Sequence, residues 1–300
     1  MKIKQAVIPV AGKGTRFLPA TKEIPKEMIP ILDIPMIHYI VQEAIDSGIE
    51  QIVFVNSSNK ESIENYFDRN YALEKFLETN NKLKELELIQ KIGTLAEIVS
   101  VRQKEQLGLG HAILTTERLI GKANFAVLLG DDLIRGTQPC TMQLMKISET
   151  YGDNPVIGIM DVPKEDVSKY GIVDGTFISG DKQTVQMKEM VEKPSPAKTP
   201  TTWATPGRYI LSSDIFDYLK KIKRGAGGEY QLTDAINLMC NSRPVYAHFF
   251  TGKRYDTGNI FGYLDATVNF ALEDVRLKKY AAELIKKLAK DLSSGSDHES

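Results

Sequence analysis

The chain alternates short apolar runs with amphipathic segments of helical period. Residues 5–10 (QAVIPV), 51–55 (QIVFV) and 125–129 (FAVLL) are apolar runs of strand length, each followed by a polar or glycine-containing turn. Runs that are apolar on both faces are typical of buried parallel strands. Between the first two, residues 36–47 carry apolar side chains at helical spacing and stop at Gly48. This strand–loop–helix–strand order predicts a right-handed crossover and a doubly wound sheet.

The pattern changes farther along the chain. Residues 59–95 are charged and helix-prone, which predicts two or three helices outside the sheet, and a single helix is expected over residues 110–119. From residue 162, short alternating segments separated by glycine and aspartate turns predict antiparallel strands added to the parallel sheet. Helical periodicity returns at residues 214–221, at residues 231–239 and again from residue 260. The expected fold is therefore α/β, a Rossmann-like doubly wound mixed sheet with an added antiparallel region and C-terminal helices.

These patterns predict one domain over residues 1–290. Residues 1–161 form its first half, 162–259 its second half, and 260–290 its C-terminal helices. The last stretch, residues 291–300, has the composition of a disordered tail.

Composition narrows the function classes. The 38 Lys and Arg residues nearly balance the 39 Asp and Glu residues, so the chain lacks the basic excess of a nucleic-acid binder. No apolar run reaches the ~18 residues that span a bilayer, so no membrane partner is expected. Two cysteines a hundred positions apart, Cys140 and Cys240, suit a reducing cytoplasm. The four histidines show no metal-ligand spacing, which disfavours zinc.

A glycine loop, PVAGKGTR (residues 9–16), follows the first apolar run directly. Gly12 and Gly14 allow backbone N–H groups to approach phosphate oxygens closely. The loop is not a Walker A loop, because its lysine lies between the glycines, and Phe17 replaces the third glycine of a dinucleotide loop. The loop therefore predicts a phosphate site of another kind.

Three cations, Arg16, Lys22 and Lys26, follow on a proline-rich segment that cannot form a long helix. Together with the glycines they could neutralise a triphosphate. The alternative is a glycine turn with solvated charges, which is the commoner meaning of a bare G-x-G.

The run AVIPVAGKGTRFLPATKEIPKEMIPI (residues 6–31) resembles the opening of bacterial UTP–glucose-1-phosphate uridylyltransferases. AGxGTR with a downstream PK is shared by sugar nucleotidyltransferases in general, whereas ATKxxPKEM is narrower and points to this branch. The resemblance continues in order to about residue 275. It implies a nucleotidyltransferase fold and a cytoplasmic enzyme that depends on Mg²⁺. The implied substrates are UTP and glucose 1-phosphate, and the implied products are UDP-glucose and pyrophosphate. It also implies a homo-oligomer, a dimer or a tetramer.

Three aspartates are candidates for the metal site. Asp131 and Asp132 follow the run FAVLLG, and Asp256 lies in RYDTGN, beyond a strand expected over residues 245–250. Mg²⁺ prefers oxygen ligands and usually binds one or two carboxylates plus substrate phosphates. Taken singly, these aspartates could equally cap a turn or form an Asx turn before a glycine. The resemblance implies that Asp131 and Asp256 are the metal ligands, with Asp132 behind them.

The remaining candidate residues depend mainly on the resemblance. It assigns catalysis to Arg16, Lys26 and Lys193, and sugar-phosphate binding to Gly171, Glu192 and Lys193. It assigns nucleotide binding to Ala11, Gly12, Gly14, Thr15, Glu27, Gln103 and Gly108. The segments GRY (207–209) and GEYQLTD (228–234) also resemble the family, although a strand and a capped helix would explain them.

The expected mechanism is direct in-line attack, which needs no protein nucleophile, and the chain offers no Ser/His/Asp or Cys/His set. Three alternatives stay open at this point. The first is a thymidylyltransferase or another sugar-1-phosphate nucleotidyltransferase. The second is a non-catalytic regulator that binds nucleotide-sugar. The third, an NAD-binding oxidoreductase, is weakened by the missing third glycine.

Overall fold

A ten-stranded mixed sheet forms the centre of the structure, a computed structural model that describes residues 2–295. Within these residues the strands are β1 (Gln5–Pro9), β2 (Pro30–Ile31), β3 (Ile34–Pro35), β4 (Gln51–Asn56), β5 (Glu97–Arg102), β6 (Phe125–Leu128), β7 (Asp132–Arg135), β8 (Val156–Asp161), β9 (Gly171–Phe177), β10 (Thr184–Glu192), β11 (Trp203–Thr205), β12 (Arg208–Leu211), β13 (Tyr246–Phe249) and β14 (Lys253–Asp256). The helices are α1 (Met36–Asp46), α2 (Glu61–Phe67), α3 (Tyr71–Thr79), α4 (Leu83–Ile92), α5 (Leu109–Leu114), α6 (Glu117–Ile120), α7 (Cys140–Thr150), α8 (Ile215–Leu219), α9 (Leu232–Cys240), α10 (Ile260–Glu273) and α11 (Lys278–Gly295).

The order of strands in the large sheet is β11-β9-β10-β13-β8-β12-β6-β1-β4-β5. The end formed by β6, β1, β4 and β5 is parallel throughout. Beyond it, β12 runs antiparallel to both β6 and β8, and the pairs β10–β13, β9–β10 and β9–β11 are also antiparallel. The predicted fold class, a doubly wound mixed sheet with an added antiparallel region, is confirmed. The division of the chain at residues 161 and 259 stays a prediction.

Both faces of the sheet are covered by helices, because neighbouring residues of its central strand point to opposite sides. Ile8 of β1 packs in one core with residues of α1, α7 and α10, whereas Val7 packs in a second core with residues of α5, α8 and α9. Both side chains are fully buried. This burial explains why β1 is a continuous apolar run.

The structure differs from the sequence-based expectation in three places. The helix expected over residues 110–119 is broken into α5 and α6, where the hydroxyls of Thr115 and Thr116 donate to carbonyls three residues earlier. Such bonds compete with the helical ladder. The tail predicted from residue 291 is helical as far as Gly295, and residues 296–300 lie outside the described residues.

No helix within residues 2–295 is both long and apolar enough to cross a membrane.

The third difference is a separate two-stranded ladder between β7 and β14. The aspartates expected in loops lie in this ladder, where Asp132 and Asp256 are direct partners in the antiparallel register. Neither β7 nor β14 has a regular alternation of apolar and polar side chains. The hydrophobic pattern of the sequence therefore did not predict this ladder. The ladder joins two segments more than a hundred residues apart at one edge of the cleft.

A buried ion pair ties this ladder to the large sheet. The Arg208 side chain on β12 is fully buried, and its guanidinium lies 2.8 Å from the Glu43 carboxylate of α1. The same guanidinium donates to the backbone carbonyls of Leu129 and Asp132, and Glu43 also accepts from the backbone and hydroxyl of Thr141. Arg208 therefore holds both ends of the turn that carries Asp131.

Replacing Arg208 with methionine is expected to lower the free energy of unfolding by about 3–5 kcal/mol, because it leaves the Glu43 carboxylate buried without its counter-charge. Urea unfolding followed by circular dichroism measures the change. Lys4→Met, which breaks the exposed Lys4–Glu50 pair, is the control and should cost less than about 1 kcal/mol. Equal losses in the two variants would contradict this role of Arg208.

Candidate active site

Two adjoining cavities lie at the carboxyl ends of β1 and β6, where ligands bind in open α/β sheets. The larger has a volume of about 700 Å³ and the smaller a volume of about 350 Å³. Residues that line both cavities are Leu109, Leu129, Asp131 and Glu229. Asp131 therefore marks the junction between the cavities.

The predicted site residues divide between these cavities. The smaller one is lined by Ala11, Gly12, Lys26, Glu27, Gln103 and Gly108. The larger one is lined by Arg16, Gly171, Glu192, Lys193 and Asp256. Gly14 and Thr15 line neither of the two. Gly14 has a φ of 65° and accepts a hydrogen bond from the Thr21 hydroxyl at 2.7 Å, so it shapes the turn next to the cavity.

Asp131 is held by two of the predicted cations. Lys26 Nζ lies 2.5 Å from Asp131 Oδ2, and an Arg16 guanidinium nitrogen lies 3.4 Å from the same oxygen. Although burial acts in the opposite direction, the Asp131 and Glu27 carboxylates raise the pKa of Lys26. Burial is likewise outweighed at Asp131, where Lys26 and Arg16 lower the pKa of the carboxyl. Both partners therefore stay charged, and a cluster of fixed charge marks the cavity junction.

The second acidic group is the ladder pair Asp132 and Asp256. Asp256 Oδ1 accepts from the backbone N–H of Gly258 at 3.1 Å, which is the Asx turn weighed above, and Oδ2 lies 3.5 Å from the Arg254 guanidinium. Asp132 is buried against Arg254. Burial raises the pKa of Asp132 to about 7, with the carboxylates of Asp131 and Asp256 adding to it and Arg254 opposing it. Three carboxylates thus converge at one wall of the cleft.

This wall fits a divalent cation that is shared with a phosphate ligand. Asp131 and Asp256 both line the larger cavity and offer the oxygen donors that Mg²⁺ prefers. Asp132 lines the same cavity, but its carboxylate is bonded to Arg254. Among residues 2–295, no group of three or more His, Cys, Asp or Glu side chains is placed to form a complete metal cage. The arrangement suits an ion that keeps waters and substrate oxygens as ligands.

Glu27, predicted to bind the nucleotide, lies in the wall of the smaller cavity. It is 1% exposed, and its carboxylate accepts from Lys60 Nζ at 2.8 Å. Burial raises the pKa of Glu27 and lowers that of Lys60, while each partner opposes the shift of the other. Lys60 also donates to the Val10 carbonyl. Lys60 was not predicted from the sequence, because it lies in a polar stretch without any motif.

The sugar-side residues meet where β9 begins and β10 ends, since Gly171 and Glu192 are partners in the antiparallel register. Glu192 Oε2 accepts from the Thr233 hydroxyl at 2.7 Å. A Cβ on Gly171 would lie 3.3 Å from the Met190 sulfur and 3.3 Å from a Thr205 methyl, so a side chain has little room here. Gly171 itself lines the larger cavity.

Lys193 extends into the larger cavity from a strained position. Its φ is 47°, its backbone N–H donates to the Tyr170 carbonyl at 2.9 Å, and its side chain is 62% exposed. Its ammonium lies 3.6 Å from Glu192, so it keeps room for a further anionic partner. Left-handed backbone at a non-glycine residue is often found at functional sites.

Several supporting residues were not predicted from the sequence. The Arg254 guanidinium donates to the Tyr170 hydroxyl at 2.7 Å, which links the wall of the three aspartates to the start of β9, where Gly171 lies. The buried Thr257 hydroxyl donates to the Asp131 carbonyl at 2.8 Å. Arg254 and Thr257 both lie in the RYDTGN segment. Their nearness to Asp256 in the sequence was the one available sign that they belong to the site.

Gly258→Ala is expected to lower activity roughly tenfold with little change in melting temperature. The added Cβ would lie 2.6 Å from Asp131 Oδ2 and 2.8 Å from an Arg16 nitrogen, so both groups must move. Gly130→Ala is the control, because its Cβ would meet nothing closer than 3.5 Å in the same cleft. Steady-state rates and thermal melts measure both variants, and a fully active Gly258→Ala protein would contradict the expected clash.

Comparison with known proteins identifies the family of this chain. A family model described as nucleotidyl transferase matches residues 5–273. A UTP–glucose-1-phosphate uridylyltransferase of Staphylococcus epidermidis is 47% identical over 287 residues, which cover 96% of this chain and 99% of that relative.

Two solved structures extend the comparison. A UTP-bound UGPase from Acinetobacter baumannii matches with a TM-score of 0.86 and 40% identity over 96% of this chain and 100% of its own. A UDP-glucose pyrophosphorylase complexed with UDP-glucose matches with a TM-score of 0.83 and 41% identity over 91% of this chain and 100% of its own. The chain therefore belongs to the nucleotidyl transferase family, among the UTP–glucose-1-phosphate uridylyltransferases.

Proposed function

We propose that this protein transfers a uridylyl group from UTP to α-D-glucose 1-phosphate and forms UDP-glucose and pyrophosphate. The main support is the junction of the two cavities at Asp131, with a glycine loop on one side and Glu192 and Lys193 on the other. The relatives at 40–47% identity are named for this activity or bind its nucleotides.

The reaction is a direct displacement. An anionic phosphate oxygen of glucose 1-phosphate attacks the α-phosphorus of UTP, a new P–O bond forms, and the bond to the bridging oxygen breaks as pyrophosphate leaves. No protein nucleophile takes part, so catalysis depends on positioning and on neutralising charge.

Each predicted residue has a role in this scheme. Arg16 and Lys26 steady the leaving pyrophosphate, and the backbone N–H groups of Ala11 and Gly12, which line the smaller cavity, bind the other phosphate oxygens while Gly14 and Thr15 complete the turn of the loop. Lys193 orients the attacking phosphate, and Glu192 accepts hydrogen bonds from sugar hydroxyls. Gln103 and Gly108 contact the uracil ring. Glu27 is best explained as the partner of Lys60 in the wall of the nucleotide cavity.

The proposal includes Mg²⁺, which Asp131 and Asp256 would hold at the cavity junction. When bound there, the ion would supply positive charge beside the α-phosphate. The salt bridge between Lys26 and Asp131 keeps the ligand carboxylate ionised and fixed in direction.

A panel of substrates tests the proposal. The purified protein is incubated with UTP, dTTP, CTP or ATP and with several sugar 1-phosphates, with Mg²⁺ or with EDTA, and pyrophosphate release is measured. UTP with glucose 1-phosphate and Mg²⁺ should give the highest rate. A preference for dTTP would indicate a thymidylyltransferase, and nucleotide-sugar binding without any product would indicate a regulator.

We also propose that the protein acts in the cytoplasm as a homo-oligomer, a dimer or a tetramer. Support for assembly comes from exposed apolar side chains on the last two helices, namely Leu264, Val268, Tyr280, Leu284, Leu288 and Leu292. Both cysteines are free thiols, which suits a reducing compartment. Light scattering of the purified protein measures the assembly state, and a monomer at micromolar concentration would contradict the proposed oligomer.

A further inference from the structure

The carboxamide of Gln103 has a defined polarity in the smaller cavity. Its Nε2 donates to the Gly108 carbonyl at 3.2 Å and lies 2.9 Å from His111 Nδ1. A backbone carbonyl can only accept, so the nitrogen of the carboxamide must face it. With its other hydrogen directed at His111, the nitrogen has no hydrogen left for a ligand.

The oxygen of the same carboxamide is left for the cavity. Within residues 2–295, no group donates to Gln103 Oε1, and no fully buried side-chain oxygen lacks a hydrogen-bond partner. The oxygen must therefore be reached from the cavity that Gln103 lines, although the residue as a whole is only 5% exposed. The site thus presents an acceptor and no donor at this point.

His111 is itself held in place by the segment that carries Tyr230. The two rings stack with their centroids 6.2 Å apart, and the Tyr230 carbonyl accepts from the backbone N–H of Gly110 at 2.9 Å. Gly108 has a φ of 96°, and a Cβ there would lie 2.7 Å from the Glu229 Cβ. The loop and the start of α5 therefore have one close-packed arrangement, which directs Nδ1 of His111 at Gln103.

We infer that His111 is a positioning residue for base selection. It accepts from Gln103 at Nδ1 and carries its proton on Nε2, which keeps the Gln103 oxygen turned to the cavity. A base with an N–H on its pairing edge, as uracil has at N3, then finds an acceptor, whereas cytosine presents a lone pair at N3 to another lone pair. The inference rests on the proposed function, since it concerns which triphosphate that reaction accepts.

His111→Leu removes the shorter of the two hydrogen bonds that fix the carboxamide, so that only the 3.2 Å bond to the Gly108 carbonyl opposes its rotation. We expect the ratio of kcat/KM for UTP to that for CTP to fall roughly tenfold, because one directing hydrogen bond is lost. The change should arise from KM for UTP, with kcat and KM for glucose 1-phosphate nearly unchanged. Where CTP turnover is too slow to follow, its inhibition constant against UTP replaces kcat/KM. His111→Asn, whose amide oxygen can accept at the position of Nδ1, should restore most of the ratio.

Two controls separate this role from a general loss of structure. 5-Methyl-UTP has the same N3–H as UTP, so the ratio between these two substrates should not change in His111→Leu. His38→Leu removes a histidine whose Nδ1 bonds the Tyr66 hydroxyl at 3.1 Å outside the cleft, and it should leave all ratios unchanged. Wild-type protein that forms no UDP-glucose would overturn the proposed function, whereas an active wild type with an unchanged UTP/CTP ratio in His111→Leu would overturn this inference alone.

Discussion

Replacing Asp256 with asparagine is expected to lower kcat/KM for UDP-glucose formation roughly a thousandfold while the fold is retained. The substitution keeps the size of the side chain and the turn to Gly258 but removes one of the two charges that we propose hold a divalent ion. Initial rates over a range of Mg²⁺ concentrations, with EDTA as the zero point, measure the effect. Raised Mg²⁺ should recover part of the lost activity.

A nearby aspartate serves as the control for that substitution. Asp265 on α10 is half-exposed and pairs with Lys253, so Asp265→Asn should keep full activity. Asp131→Asn should resemble Asp256→Asn, and the double variant should be little worse than either, because the two groups act as a unit. Activity in Asp256→Asn that equals the wild type at every Mg²⁺ concentration would remove Asp256 from the metal site.

Lys193→Ala is expected to lower kcat/KM at least about a hundredfold, as the loss of one charge that stabilises a reacting phosphate typically does. The ammonium extends into the larger cavity and has the Glu192 carboxylate 3.6 Å away, so it can bind a sugar phosphate without breaking a strong ion pair. Steady-state kinetics with glucose 1-phosphate as the varied substrate give the effect, and circular dichroism checks the fold.

Lys169→Ala is the matched control, since this lysine lines the same cavity and has a side chain with 61% exposure. Its ammonium is already bonded to Asp166 at 2.6 Å, so its removal should change the rate by less than about threefold. Equal losses in the two variants would mean that only the general positive charge of the cavity matters.

The local pattern of the chain was sufficient for the parallel half of the fold. Apolar runs such as residues 5–10 and 51–55 predicted β1 and β4, because a strand buried on both faces needs no polar positions. The glycine loop and its cations were likewise visible, since all of them lie within one continuous segment. The resemblance in residues 6–31 then added roles that spacing alone did not supply.

Contacts between distant segments were not predictable in the same way. Three contacts join residues that lie between 33 and 165 positions apart in the chain. They are the Lys60–Glu27 pair, the Arg208–Glu43 pair and the β7–β14 ladder. Short polar strands and single charged residues carry no periodicity, so nothing in their own neighbourhood indicates a partner. Glu27 is an example, because the sequence predicted that it binds the nucleotide but gave no sign of its buried pair with Lys60.

By itself, the sequence determined the sheet type, the glycine loop and the list of charged residues available for chemistry. Only the tertiary structure decided which of those charges meet, as Asp132 does with Asp256 and Lys26 with Asp131, and which way the uncharged Gln103 carboxamide faces. The reason is physical. Backbone periodicity is a local property, whereas the direction of a side chain and its ionisation depend on the burial and charge of groups that the fold brings together.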